Sequence, residues 1–235
     1  MNFKDLLDLY EKKKVKYGKT AYRYISTMLD EAKSLHQIGF LSSATAQKAI
    51  NEGRTPDHEQ SWRAFKGKNL EKLIEHIIVD EVRGLGLQVI NGNSLERSEG
   101  SKLSQELSLV KRNLLVDFGE YGCHLPDVDI VIYEPETSKV IAVLSSKVTL
   151  RERIAQTGYW KLKLASDKVT KHIKVFFVTP DEDATLRFKK PTKKGRAIVE
   201  IDTDGCYVLS EATIEESDKV KTFDKLINDI KSLLK

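Results

Sequence analysis

Pro126-Asp127-Val128-Asp129-Ile130-Val131-Ile132-Tyr133 and Val140-Ile141-Ala142-Val143-Leu144-Ser145-Ser146-Lys147 are the two stretches on which the reading of this chain turns. Each is a β-branched, apolar run bounded by turn formers, the pattern of a buried strand. Residues 134–139, with their Pro, Thr and Ser, predict a hairpin loop between them. Side chains two apart share one face of a strand. Asp127, Asp129 and Tyr133 therefore point one way, and Val143, Ser145 and Lys147 share a face of the next strand. Pairing the strands about the loop sets Asp129 nearly opposite Ser145, with Lys147 beside it. A carboxylate and an ammonium then meet where two strands run out into loops.

Working outward, Ile173 to Val178 and Ala197 to Ile201 read as further strands, and Leu87 to Ile90 as a short one closed by Asn91-Gly92-Asn93. Arg151 to Ala165 has helical character, and Val220 to Leu234 reads as a closing amphipathic helix. A longer helix is predicted from Ser61 to about Gly84, burying Phe65, Leu70, Leu73, Ile74, Ile77, Ile78 and Val82. Residues 94–122 are polar and mixed, with a helix around Leu107 to Leu115. The first sixty residues carry helical stripes, among them Tyr22, Ile25, Met28, Leu29 and Ala32. Arg54-Thr55-Pro56-Asp57 reads as a connection, because Pro56 disfavours helix at the residue before it. The expectation is an α/β fold, a central mixed sheet flanked by helices. A helical amino-terminal region, residues 1–57, precedes a main domain, residues 58–235.

Composition agrees with a globular chain. Of 235 residues, 40% are hydrophobic and 31% charged, which excludes a disordered tail, and no apolar run approaches the length of a membrane span. The amino terminus lacks the apolar core of a secretory signal. Two cysteines, Cys123 and Cys206, are too few for a disulfide framework or a four-thiolate zinc site, and read as free thiols of an intracellular protein. There is no G-x-x-x-x-G-K phosphate loop, so no nucleotide cofactor is expected. No Ser-His-Asp or Cys-His arrangement is legible. His124 and His172 lack metal-ligand spacing and read as structural, and Tyr159 and Trp160 as packing residues.

A carboxylate beside a lysine suits phosphodiester hydrolysis. The carboxylate can hold Mg²⁺, which takes oxygen ligands, and the lysine can orient or deprotonate an attacking water. Asp129, Lys147, Asp127 and Ser145 are the candidate catalytic positions.

This arrangement resembles the PD-(D/E)XK nuclease superfamily, whose signature is an aspartate opening one strand and an acid-x-Lys ending the next. Pro126-Asp127 matches the literal pair, but Asp129 fits better, lying 18 residues before Lys147. Ser145 stands where the family usually has Asp or Glu. A subset with Ser-x-Lys does exist: restriction endonucleases whose sites have a CCGG or CCNGG core, in which a helix supplies the missing carboxylate. Those enzymes carry Arg-(Asp/Glu)-Arg shortly after the lysine, as Arg151-Glu152-Arg153 does here. The resemblance implies that the two arginines read guanines while the acid accepts from cytosine, consistent with base-edge chemistry. The subset's usual acid position falls on Trp160 and Lys161 and is unmatched. Gly67 followed four residues later by Glu71 is also usual on the first core helix, so Glu71, or Glu75 one turn on, is expected to complete the metal set with Asp129 and Asp127.

The resemblance thus implies a Mg²⁺-dependent type II restriction endonuclease in a prokaryotic cytoplasm, acting on double-stranded DNA as a homodimer. Lys189, Lys190, Lys193 and Lys194, with Arg196, are either a solvated loop or phosphate contacts. The alternatives are a less specific repair or recombination nuclease of the same fold, or an inactive DNA-binding module, for which Ser145 is the best argument. Charge placement favours a DNA-facing protein. Residues 139–196 hold 15 Lys+Arg against 5 Asp+Glu, whereas the whole chain has 39 against 35.

Overall fold

The computed structural model describes residues 1–98, 102–149 and 153–234, without the Arg153 side chain. Helices α1 (Phe3–Tyr17), α2 (Ile25–Phe40) and α3 (Ala44–Asn51) open the chain, with a 3-10 segment, Gly18–Tyr24, between the first two. Asn2 and Asp5 cap α1 reciprocally and Ser43 caps α3, which satisfies amide groups that a helix start leaves unpaired. Helix α4 runs His58–Gly84, one turn earlier than the apolar stripe alone predicts, because the Asp57 side chain caps it by accepting from Gln60 N.

Strand β1 (Gln88–Asn91), α5 (Gly92–Arg97) and α6 (Gln105–Asn113) follow, then a two-stranded ribbon of β2 (Val116–Asp117) and β3 (Cys123–His124). The hairpin of β4 (Ile130–Glu134) and β5 (Lys139–Ser146) is as expected. After it come α7 (Arg153–Ser166), β6 (Lys174–Thr179), α8 (Lys194–Asp202), β7 (Gly205–Val208), β8 (Val220–Thr222) and α9 (Leu226–Ser232). The main sheet has the order β1-β4-β5-β6-β7-β8. β4 pairs antiparallel with β1 and β5, whereas β5 through β8 run parallel. The fold is therefore the expected mixed sheet between helices.

Strand β5 is buried from Val140 through Ser146, as a strand covered on both faces must be. On one face, Ile130, Ile132, Ala142 and Leu144 pack with Leu70, Leu73, Ile74 and Ile78 of α4, and with Leu6, Ile25 and Leu29 of the amino-terminal helices. Each such fully buried side chain contributes roughly 1.5–3 kcal/mol. The other face meets α6 and α7 through Val131, Val143, Val110 and Leu164, and Phe177 joins Ile154 and Val199 in a third cluster.

Two sequence expectations fail. Ala197 to Ile201 lies in α8, not in a strand. Arg196, Val199 and Thr203 are buried at helical spacing while Ile201 is 77% exposed, so burial on one helix face overrides β-branched propensity. The strand is instead β7, which pairs with β6. Val220 to Leu234 is also not one helix. Val220–Thr222 pairs with β7, and α9 begins only at Leu226.

Candidate active site

Asp129 immediately precedes β4. Its backbone N–H donates to the Leu144 carbonyl at 3.0 Å, extending the hairpin ladder by one rung. Its side chain is 3% exposed and needs partners for both oxygens. Lys147 Nζ lies 3.1 Å from Oδ1 and 2.8 Å from Oδ2, and the Ser146 backbone N–H donates to Oδ2 at 2.6 Å. Lys147 itself is fixed because its backbone N–H donates to the Val178 carbonyl at 3.2 Å, continuing the β5–β6 pairing past the strand end. The expected meeting of carboxylate and ammonium is present.

Glu71 arrives from α4, which places it beside Leu70 in the buried stripe. Burial, the Asp129 charge and a side-chain hydrogen bond with Asp129 push its carboxyl up to about 7, with Lys147 acting in the opposite direction. Two carboxyls thus share one half-buried space with a single ammonium. The buried Ser146 hydroxyl, on the residue whose N–H holds Asp129, has no hydrogen-bond partner among the described residues. Among those residues no group of three or more His, Cys, Asp or Glu could hold a metal ion. Two carboxylates and an unpartnered hydroxyl do not make a zinc site, but they fit Mg²⁺, which retains waters and binds through one or two carboxylates plus substrate phosphate.

The remaining candidates lie apart. Asp127 is exposed and accepts from Gln156 Nε2 of α7 at 2.6 Å. Glu75 is half-buried; burial raises its carboxyl, against a hydrogen bond with Asn91 and the charge of Lys72. Ser145 is buried at 3% exposure. Lys189, Lys190, Lys193 and Lys194 are exposed, and Lys193 Nζ donates to the Asp183 and Ala184 carbonyls. Arg196 is no phosphate contact: it is 1% exposed, donating to the Leu186 and Glu215 carbonyls and pairing with Glu200. Arg151, Glu152 and the side chain of Arg153 lie outside the described residues. His124 and His172 bond the Tyr121 and Val140 carbonyls, Trp160 packs against the second cluster, and Tyr159 is 44% exposed.

Sequence reasoning passed over Ser146 and Gly92. Ser146 sits within the Ser-x-Lys motif, and its backbone contribution carries no sequence signal. Gly92 donates its N–H to the Asp129 carbonyl at 2.9 Å and carries the backbone against β4; its Asn-Gly-Asn setting reads only as a turn.

Residues 106–229 match the family described as BsaWI restriction endonuclease type 2. The chain belongs to this family. Two relatives carry names as type II restriction enzymes. MjaVIP of Methanocaldococcus jannaschii is 40% identical over 176 residues, covering 73% of this chain and 76% of that one. HpyAORF263P of Helicobacter pylori is 34% identical over 172 residues, covering 73% and 87%. The solved complex of restriction endonuclease PspGI with substrate DNA aligns over 97% of this chain and 92% of that one, with a TM-score of 0.51 and 15% identity. That likeness supports the fold. The BsaWI-family chain is thus an enzyme, a type II site-specific deoxyribonuclease. Asp129, Lys147 and residues 151–153 fall inside the family match, whereas Glu71 and Gly92 lie before it.

Glu71 in this BsaWI-family enzyme yields a two-sided expectation. A carboxyl held above its ordinary pKa costs stability as pH rises toward the folded value, so removing its charge relieves that cost. Glu71→Gln is expected to lower cleavage about ten- to a hundredfold, the scale on which groups supporting a metal site act. In chelator at pH 8 it should melt no lower than the parent protein. Unchanged cleavage rates would exclude Glu71 from the site.

Proposed function

We propose that this enzyme hydrolyses duplex DNA with Mg²⁺, at a short palindromic site with a CCGG or CCNGG core. The observation that carries the reading is the buried Asp129 carboxylate gripped by Lys147 beside Glu71. Asp129 and Glu71 would hold the Mg²⁺, which when bound makes water more acidic and offsets charge on the attacking and leaving oxygens. Lys147 directs two of its three N–H groups at Asp129 and keeps the third to orient the attacking water toward phosphorus. Burial on the β5 side limits bulk water around the pair and strengthens these interactions. Ser145 marks the position that an acid has vacated.

Arg151 and Arg153 read guanine O6 and N7, and Glu152 accepts from cytosine N4. Their position next to the start of α7 would let three adjacent side chains enter a major groove. The exposed Lys189, Lys190, Lys193 and Lys194 add phosphate contacts. A palindromic site calls for a two-fold symmetric homodimer. Residues 1–57 would supply the dimer contact or a clasp on the DNA, and residues 58–235 the nuclease domain. The enzyme would act in a prokaryotic cytoplasm; no helix among the described residues is long and apolar enough to cross a membrane.

Digestion of a plasmid of known sequence with Mg²⁺ tests the reading, with the fragment ends sequenced. Discrete fragments whose ends share one GC-core site are expected. A smear would favour a repair or recombination nuclease. DNA binding with no cutting in Mg²⁺ or Mn²⁺ would favour an inactive binding module.

A further inference from the structure

A cavity of about 1290 Å³ opens along the solvent side of α4, bounded opposite by α5. From α4 it takes residues at every helical turn from Gln60 to Val79, a stripe that includes Glu71. Those 19 steps span roughly 28 Å at 1.5 Å per residue, about eight base-pair rises of 3.4 Å. The cavity therefore reaches the site described above at Glu71 and continues past it.

Its lining is basic, and although Lys72 lies over the Phe3 ring and His76 bonds Glu11, three of its cations are uncommitted. Arg63, Lys68 and Arg97 are exposed on its walls, and none makes an ion pair or hydrogen bond among the described residues. The acidic residues of the same stripe are both engaged, Glu71 with Asp129 and Glu75 with Asn91. Cations without protein partners around a cleft are the electrostatic footprint of a polyanion.

Gly67 gives an independent indication. It lies mid-way along α4, where glycine weakens a helix relative to alanine. A Cβ added there would meet nothing within 4 Å, so no packing inside the protein calls for glycine. It lines the cavity one turn before Glu71. A bare position on a ligand-facing helix suits a partner whose own backbone presses against it.

We propose that this groove holds the sugar-phosphate backbone of one DNA strand beside the scissile phosphate. Arg63, Lys68 and Arg97 are its phosphate contacts, and Gly67 is the point of closest approach. The assignment rests on the nuclease reading above and adds to it a binding surface outside the basic 139–196 segment.

The test measures binding of the full chain to a duplex carrying its cleavage site, with Ca²⁺ in place of Mg²⁺, from 50 to 200 mM salt. Arg63→Ala, Lys68→Ala and Arg97→Ala should each weaken binding about tenfold, the scale of a hydrogen bond to a charged group. Each should also make the slope of log K against log salt shallower by about one. Gly67→Leu should weaken binding without lowering the melting temperature, since its side chain has open space. Variants that keep parental affinity and slope, in an enzyme that cuts at discrete sites, overturn this assignment and leave the nuclease reading standing. A parental protein that neither binds nor cuts DNA overturns both.

Discussion

Lys147→Ala is expected to abolish detectable cleavage, a loss of at least about 10²–10⁴-fold, while specific DNA binding survives. Nothing else among the described residues supplies a cation to the Asp129 carboxylate, whose other hydrogen bonds are with the Ser146 N–H and the Glu71 carboxyl. The substitution leaves the β5–β6 pairing intact, because Lys147 joins that ladder through its backbone. Folding should therefore be kept. Single-turnover cleavage and gel-shift measurements on the same preparation separate the two effects. A variant that still cuts at the parental rate would remove Lys147 from the chemistry. One that no longer binds its site would make Lys147 a binding residue instead.

Gly92→Ala should be the most damaging Gly→Ala change among the described residues. A Cβ there would lie 1.9 Å from the Val128 carbonyl oxygen and 2.9 Å from its carbon, both backbone atoms that no rotamer can move aside. The strand and α5 must part, and the Gly92 N–H bond to the Asp129 carbonyl is strained with them. Overpacking typically costs 1–3 kcal/mol, and a backbone clash of this depth belongs at or above that upper end, about 3 kcal/mol. Because the displaced peptide joins Val128 to Asp129, cleavage should fall further than the folded fraction does. Gly84→Ala is the matched control, having nothing within 4 Å of an added Cβ. Urea unfolding midpoints and cleavage rates for both variants decide the matter. Parental stability in Gly92→Ala would mean that Gly92 does not abut the Val128–Asp129 peptide as described.

The hairpin and its register were legible because two continuous β-branched runs and the short turn-rich gap between them agree. The pairing of Asp129 with Lys147 followed from that register alone. Glu71 was reachable only through resemblance, since nothing in an amphipathic stripe distinguishes a site carboxylate from a solvated one. Its helix lies far from β4 in the chain, and packing alone brings them together. The 197–201 segment misled because its local preference and its tertiary burial conflict. Val220–Thr222 misled because three residues are too few to show alternation before a helical pattern resumes. Ser146 holds Asp129 through a backbone N–H that every residue possesses, and Gly92 is required for a missing Cβ whose need only the packing reveals, so neither announces itself in the sequence.

The antiparallel pairing of β1 with β4 has a consequence for how the chain may be shortened. The family match begins at residue 106, which invites excision of a catalytic core from that point. Such a fragment loses β1, and β4 becomes an uncovered edge whose free N–H and C=O groups recruit other chains. It also loses α4, so Ile130, Ile132 and Leu144 are stripped of their cover and Asp129 of its neighbour Glu71. The smallest self-sufficient unit therefore starts no later than Asp57, the cap of α4. The family match takes in Asp129 and Lys147, but the cover of their strands comes before it.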